Sequence, residues 1–405
     1  MGSRGTASMM LGLMLVTAPA AALEAVRAYV PDRDATVLER AAVSSPKLRA
    51  LRAARTAAEA APEDPKAAVT YARLAIELGR EQADPRFYGN AEAALSAWDA
   101  IAAPPLDIAW LRAVLHQQRH AFDQARAELD ALLQREPAYA PALLTRAVIH
   151  LVQGDPTAAR RDCAALVGRT GALVVGSCAA AAASVSGHAQ TALDTLATLD
   201  AQAPHDLPID QRAWALSLEA EINARMEHVA AARAAFERAR SAVAAAGSHD
   251  PYLDTAEADF LLDQHEPATV VARLRSRTRD NNALLRLTEA EAQLPDAASQ
   301  QSAATHIRML GERFAATRAR GEATHRREEA RYTLALLHRP QAALKLAAAN
   351  WQVQREPLDA RIFLECAVAA RQPAAAAPVL TWMAQTGIED PRLHRLAAQL
   401  QGLAS

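Results

Sequence analysis

The residues of this 405-residue chain whose types and spacing could do chemistry are a few histidines and cysteines. His116 and His120 stand four apart and could share a helix face, although a turn is expected near His120, and His150 follows His116 by 34 positions. Imidazoles so placed could hold a divalent metal. A zinc centre needs three or four converging ligands, however, and no carboxylate stands beside these histidines at ligand spacing, so packing and solvent contact are the expected roles. Gly176-Ser177-Cys178 could be a nucleophile in a sharp turn, but it lacks the flanking glycine of that motif. No glycine-rich phosphate loop and no H-E-x-x-H pattern occurs. The expectation is a non-enzyme, with no catalytic residue, cofactor or metal.

The elements that would carry these residues are helices. Hydrophobic residues make up 51% of the chain, much of it alanine, while aromatics are 4% and glycines number 15. Alanine is the best helix former, and strands favour β-branched and aromatic residues. Basic and acidic residues nearly cancel, 44 against 46, which gives no general electrostatic reason to bind nucleic acid or an anionic membrane. Lys47, Lys66 and Lys345 are the lysines, so 41 basic residues are arginine. That preference is read as the codon usage of a GC-rich bacterial genome.

Internal periodicity then organises the chain. Trp110-Leu111-Arg112-Ala113-Val114-Leu115-His116 aligns with Leu144-Thr145-Arg146-Ala147-Val148-Ile149-His150 at a shift of 34. The second halves keep step, Ala125 with Ala159, Leu129 with Cys163 and Leu132 with Leu166. Small residues recur twelve apart as Ala113/Ala125, Ala147/Ala159, Ala180/Ala192, Ala220/Ala232 and Ala330/Ala342, with Ala258/Val270 a looser match. Gly154 and Gly187 fall between the halves, and Pro65, Pro137 and Pro204 are expected to close units.

This pattern resembles the tetratricopeptide repeat, a 34-residue pair of antiparallel helices. The resemblance covers roughly residues 63–385 and implies an all-α, right-handed superhelical solenoid of about eight to nine antiparallel helix pairs. Small facing residues let the helices of a pair approach closely. One pair cannot bury its apolar face alone, so neighbours must stack. Departures are an insertion near 83–86, a wider spacing between the fourth and fifth units, and a longer helix over 295–320 marked by Ile307, Leu310, Phe314 and Ala315. Residues 23–62 read as N-terminal capping helices. Residues 386–405 read as a C-terminal capping helix with Leu393, Leu396, Ala397, Leu400 and Leu403 on one face. The motifs Asn350-Trp351 to Pro357 and Trp382 to Asp390 resemble exported bacterial repeat proteins of unassigned function.

Residues 1–22 carry a secretory signal pattern: Arg4, an apolar run from Met9 to Val16, and small residues up to a cleavage site near Ala22. No cysteine follows that run to anchor a lipid, and no later stretch reaches the roughly 20 apolar residues of a membrane span. The expectation is a periplasmic or secreted protein. Cys163 and Cys178 would lie on neighbouring helices, either as a disulfide permitted by export or as two buried thiols. Cys366 is left over as a small buried residue.

The resemblance implies a concave groove lined by the first helix of each unit. Positions around each small anchor give candidate partner-binding residues: an apolar start with Trp110, Val114, Leu144 and Val148, an acidic middle with Glu221 and Asp259, and a basic end with Arg327, Arg331 and Arg371. The alternative is that these residues pack the superhelix or are simply solvated. The family subtype that clamps C-terminal carboxylates carries Asn one position after the small anchor. Val114, Val148, Ala181, Glu221 and Asp259 stand there instead. The expected function is an exported scaffold that binds a protein or peptide partner. The alternatives are a self-assembling envelope protein and a substrate-recognition subunit of an enzyme complex.

Overall fold

Small residues twelve apart meet between the two helices of most pairs, and that sets the architecture. The computed structural model describes residues 45–404 apart from 205 and 323. The expected signal segment and the start of the expected N-terminal cap lie outside the described residues. Helix α1 (Pro46–Ala60) is followed by pairs α2 (Pro65–Gln82) with α3 (Arg86–Leu95), α4 (Leu106–Gln118) with α5 (Phe122–Arg135), and α6 (Ala140–Val152) with α7 (Pro156–Ala165). Then come α8 (Ala172–Ser184) with α9 (Ala189–Gln202), α10 (Ile209–Arg225) with α11 (Val229–Ala245), and α12 (Pro251–Asp263) with α13 (Pro267–Leu274). The last pairs are α14 (Asn281–Gln293) with α15 (Ala297–Ala319), α16 (Arg326–Ala335) with α17 (Pro340–Trp351), and α18 (Pro357–Ala369) with α19 (Ala377–Thr386). Helix α20 (Pro391–Ala404) lies on α18. Each helix packs on its partner, and the first helices of successive pairs pack on one another. This is an all-α, tetratricopeptide-like solenoid, with no strand among the described residues.

Ala113, Ala125, Ala147, Ala159, Ala220 and Ala232 are all fully buried. Ala342 is not. It is exposed, and Ala343 takes its place in the core opposite Ala330. The reason is length: α17 begins ten residues after its anchor Ala330, whereas α5, α7 and α11 begin nine after theirs. The apolar core is correspondingly a series of five successive clusters along the stack, as a quasi-one-dimensional fold requires.

Local chemistry sets the helix boundaries. Pro65, expected to close a unit, instead opens α2, with the Asp64 side chain accepting from the Lys66 amide at 2.9 Å. Proline lacks an N–H that the first turn has no use for, and the aspartate satisfies an amide that would otherwise be orphaned. The same Asp-Pro start recurs at Asp155-Pro156, Asp250-Pro251 and Asp390-Pro391. The turns inside pairs need one left-handed residue to end the first helix. Gly154 and Gly187 supply it in two pairs, but Ala83, His120, Glu227, His265, His338 and Arg371 supply it in others.

The solenoid coils back on itself. The Arg355 amide donates to the Val152 carbonyl at 2.7 Å, and Glu389 accepts from the Ala189 amide at 2.6 Å. Arg395 pairs with Glu227, and both Arg361 and Arg392 pair with Asp263. At the other end Ser248 donates to Glu81 at 3.4 Å. The final pairs therefore sit on the inner turns of the middle ones, and the concave face becomes the wall of a chamber open to solvent.

Candidate functional site

The histidines with metal-like spacing do not converge. His116 Nε2 lies 3.6 Å from Glu128 and His150 Nε2 lies 3.7 Å from Asp162. Arg112 donates to Glu128 at 2.8 Å, and Arg146 grips Asp162 through Nε and Nη2 at 2.9 and 2.6 Å. Two consecutive pairs thus repeat one Arg–His–carboxylate brace between their first and second helices. His120 stands apart from both, in the left-handed turn after α4 and stacked on Phe122. Burial, reinforced by Arg327, pushes its pKa down to about 4, so it is neutral near pH 7. Among the described residues no group of three or more His, Cys, Asp or Glu is placed to hold a metal. The buried Ser177 belongs to the interior of α8, not to a turn, so Gly176-Ser177-Cys178 has no nucleophile-elbow geometry.

Cys163 on α7 and Cys178 on α8 are joined by a disulfide. Cys366 is a buried free cysteine whose thiol is pushed up to about 12, first by burial and then by the charge of Glu365. A thiol so held is inert.

The chamber has a volume of about 1550 Å³ and is lined by the first helices α2, α10, α12, α14, α16 and α18 together with the turns that follow α2, α4 and α15. Glu221, Asp259 and Arg327 line it. Arg331 is tied to it through Asp259, donating to that carboxylate at 2.5 Å and to Glu289 at 2.6 and 2.8 Å. Arg286 donates to the other Asp259 oxygen at 2.8 Å, and Arg327 donates to Glu356 at 3.0 Å. The sequence reading set an acidic middle and a basic end along one groove. Coiling lays α16 over α12, so these charges bind each other.

The remaining sequence-derived residues lie elsewhere. Trp110 donates its indole N–H to Thr145 at 2.9 Å, under the Arg73 guanidinium 5.0 Å from its ring centre, and so joins successive pairs. Val114 is buried, Leu144 and Val148 are half-buried, and none of them lines the chamber. Arg371 is the left-handed residue of the turn after α18 and is exposed outside the chamber.

Sequence reasoning missed Arg80, Arg225 and Tyr252, all of which line the chamber. Arg80 and Arg225 each stand five positions after a fully buried alanine, Ala75 and Ala220. Gln118 and Asp263 hold the same place after Ala113 and Ala258 and also line it. The positions taken from the resemblance stopped one residue short of this row, which the repeat register could have supplied. Tyr252 donates to both Glu221 oxygens at 2.8 and 2.7 Å. Burial pushes the Glu221 carboxyl up to about 7, against the Tyr252 hydrogen bond and the charge of Arg225.

No protein-family model matches the chain, and no curated protein matches it in sequence. Among solved structures it is similar to a tetratricopeptide repeat protein from Parabacteroides merdae, at 16% identity and a TM-score of 0.40, over 64% of this chain and 92% of that one. It is also similar to a chain of the Naa15/Naa10 complex bound to HypK-THB, at 12% identity and a TM-score of 0.24, over 88% of this chain and 64% of that one. Likenesses this distant say nothing of what the chain binds.

Proposed function

We propose that the chain is an exported, non-catalytic scaffold that takes a peptide or protein segment of a partner into its chamber. The observation that carries this reading is the chamber itself: a volume of about 1550 Å³ lined by first helices from both halves of the stack and open to solvent. That exceeds the roughly 300–1,000 Å³ of ordinary small-molecule sites. Its lining mixes apolar groups such as Phe260 and Leu358 with charged ones such as Glu221 and Arg327. Side chains of both kinds suit a peptide. Export to the periplasm or beyond is supported by the Cys163–Cys178 disulfide, since such bonds persist in oxidising compartments, and by the signal pattern of residues 1–22.

The test is site-specific photo-crosslinking in the producing cells. A photoreactive phenylalanine analogue replaces Tyr252 inside the chamber or, as a control, Val167 on the outer surface. The expected result is one discrete adduct from position 252 in the envelope or secreted fraction and none from 167. Equal adducts from both positions, or none from 252, would sink the chamber reading. Accumulation of the chain in the cytosol with Cys163 reduced would sink export.

A further inference from the structure

The contacts that turn the solenoid back on itself differ in kind from those that build it. Inside the stack, neighbouring helices press together through buried alanine and leucine. Along the seam where the last pairs meet the middle ones, none of α18, α19 and α20 packs side by side on α6, α8, α10 or α12. Two hydrogen bonds hold the seam, from the Arg355 amide to the Val152 carbonyl and from the Ala189 amide to Glu389. Ion pairs add the rest: Arg361 donates to Asp263 at 2.7 and 2.8 Å, Arg392 shares that carboxylate, and Arg395 pairs with Glu227. Each of these charged side chains keeps part of its surface in water. Two half-buried valines cross the seam, Val185 against the C-terminal core and Val353 against the core of α4 to α8.

The seam also leaves polar atoms without partners. Trp382 is buried, and its Nε1 would stand 3.0 Å from a Cβ at Gly154, yet that N–H has no acceptor. The Oε1 of Gln153, the residue before Gly154, is buried without a donor. A buried group left unpaired forfeits the hydrogen bond it would make to water. Closing the seam therefore costs free energy here, and few apolar side chains cross to offset it.

The apolar core divides at a matching place. One cluster runs from α10 to Tyr332 of α16, and the next runs from Ala330 of α16 to Leu400 of α20. The last pairs thus have a core of their own, while Arg331 keeps α16 on Asp259 and Glu289 of the middle pairs. Parts with separate cores and a small polar interface move relative to each other.

We infer that the seam is a clasp: α17 to α20 swing off the middle pairs about α16, and the chain exchanges between the closed coil and an opened superhelix. Glu227, Asp263, Arg361 and Arg392 line the chamber as well as close the seam, so opening parts the chamber wall. A partner segment then enters from the side, without threading a free end. Side entry rests on the chamber being the binding site; the clasp itself does not.

The experiment uses the full chain with Cys366→Ala, which removes its free thiol. Spin labels go on Gln190→Cys and Gln385→Cys, exposed residues on either side of the seam. Pulsed electron resonance should give one short distance at low salt and a second, longer one that grows with salt, because screening weakens exposed ion pairs. Asp263→Asn is expected to raise the open fraction roughly tenfold and Glu227→Gln about threefold. Glu59→Gln, whose ion pair with Arg55 lies on α1, should leave it unchanged. Circular dichroism confirms that each variant is folded. A single short distance that survives both salt and Asp263→Asn overturns the clasp. Entry is read separately with Ala256→Cys on the chamber wall. N-ethylmaleimide should label it at the same rate in all conditions, and a bulky polyethylene glycol maleimide should label it faster in proportion to the open fraction. A bulky reagent whose rate ignores that fraction overturns side entry. Neither readout involves the partner, so a missing adduct at position 252 in cells sinks the chamber reading and leaves the clasp standing.

Discussion

Arg331 on α16 donates to Asp259 on α12 at 2.5 Å across 72 residues of sequence, and with its other nitrogens it holds Glu289 on α14. One guanidinium thus ties together the first helices of three successive pairs. Burial would raise the Asp259 carboxyl, but Arg286 and Arg331 outweigh it and hold its pKa below the usual carboxylate range. Arg331→Ala leaves the buried Glu289 without its cation and Asp259 with Arg286 alone. It is expected to lower stability by about 3 kcal/mol, read by urea denaturation at pH 7. A folded-state pKa below the unfolded value gives stability that is present above about pH 4 and is lost as pH falls below it. The difference between wild type and variant should therefore shrink in acid. A variant as stable as wild type at pH 7 would show the pair to be energetically idle.

Much of this architecture was legible in the sequence, and the limits have a physical origin. The 34-residue shift and the facing alanines fix helix pairs because close packing admits only small side chains at the contact. Those are local constraints, repeated. The coiling that brings Arg331 to Asp259 and Arg355 to Val152 depends on small rotations between pairs that add up along the stack. No local motif records that sum. Arg371 illustrates the consequence at short range: helical spacing placed it on the groove, but its helix ends at Ala369 and it occupies the left-handed turn.

Glu221 gives the opposite pH behaviour. Burial raises its folded pKa to about 7, above the ordinary glutamate value. Between those two values the folded state binds more protons than the unfolded state, so this group removes stability as pH rises through the interval. Below it the cost is absent. Glu221→Gln is expected to raise Tm at pH 8 and leave it unchanged at pH 4, with the difference opening across pH 5 to 7. An effect of equal size at both pH values would contradict the raised pKa.

The Cys163–Cys178 bond closes a loop of 15 residues between α7 and α8. In the chain-entropy account such a closure contributes about 3 kcal/mol. The Cys163→Ala, Cys178→Ala double variant should lose roughly 2–4 kcal/mol in urea denaturation, with helical circular dichroism retained. Dithiothreitol should destabilise wild type by a similar amount and leave the double variant unaffected. Sensitivity of the double variant to reductant would point to Cys366, which is buried and has no thiol to pair with.

His265 ends α12 in the left-handed region at φ 59° and is exposed. That conformation costs an ordinary residue roughly 1–2 kcal/mol and glycine almost nothing. Glycine returns about 0.4–1 kcal/mol to the unfolded chain as entropy. His265→Gly should therefore stabilise by about 0.5–1 kcal/mol, the difference of those terms, visible as a rise in Tm at constant pH. Loss of stability would mean that His265 makes a contact worth more than its strain.

Gly154 tests whether closure of the coil matters for binding. It lies in the turn between α6 and α7 at φ 79°, beneath the returning C-terminal pairs. A Cβ there would stand 2.9 Å from the Arg355 Cβ and 3.0 Å from the Trp382 Nε1. The backbone of Arg355 is fixed by its hydrogen bond to the Val152 carbonyl, so it has little room to yield. Gly154→Ala should cost about 1–3 kcal/mol through overpacking, plus the left-handed strain. The helices of each pair are held by their own alanine contacts, so helical content should survive. If the chamber depends on the last pairs resting on the middle ones, small-angle scattering of this variant should show an expanded chain, and peptide affinity should fall with it. Expansion without loss of affinity would place the binding surface on one half of the stack alone, and loss of affinity without expansion would assign Gly154 a purely local part.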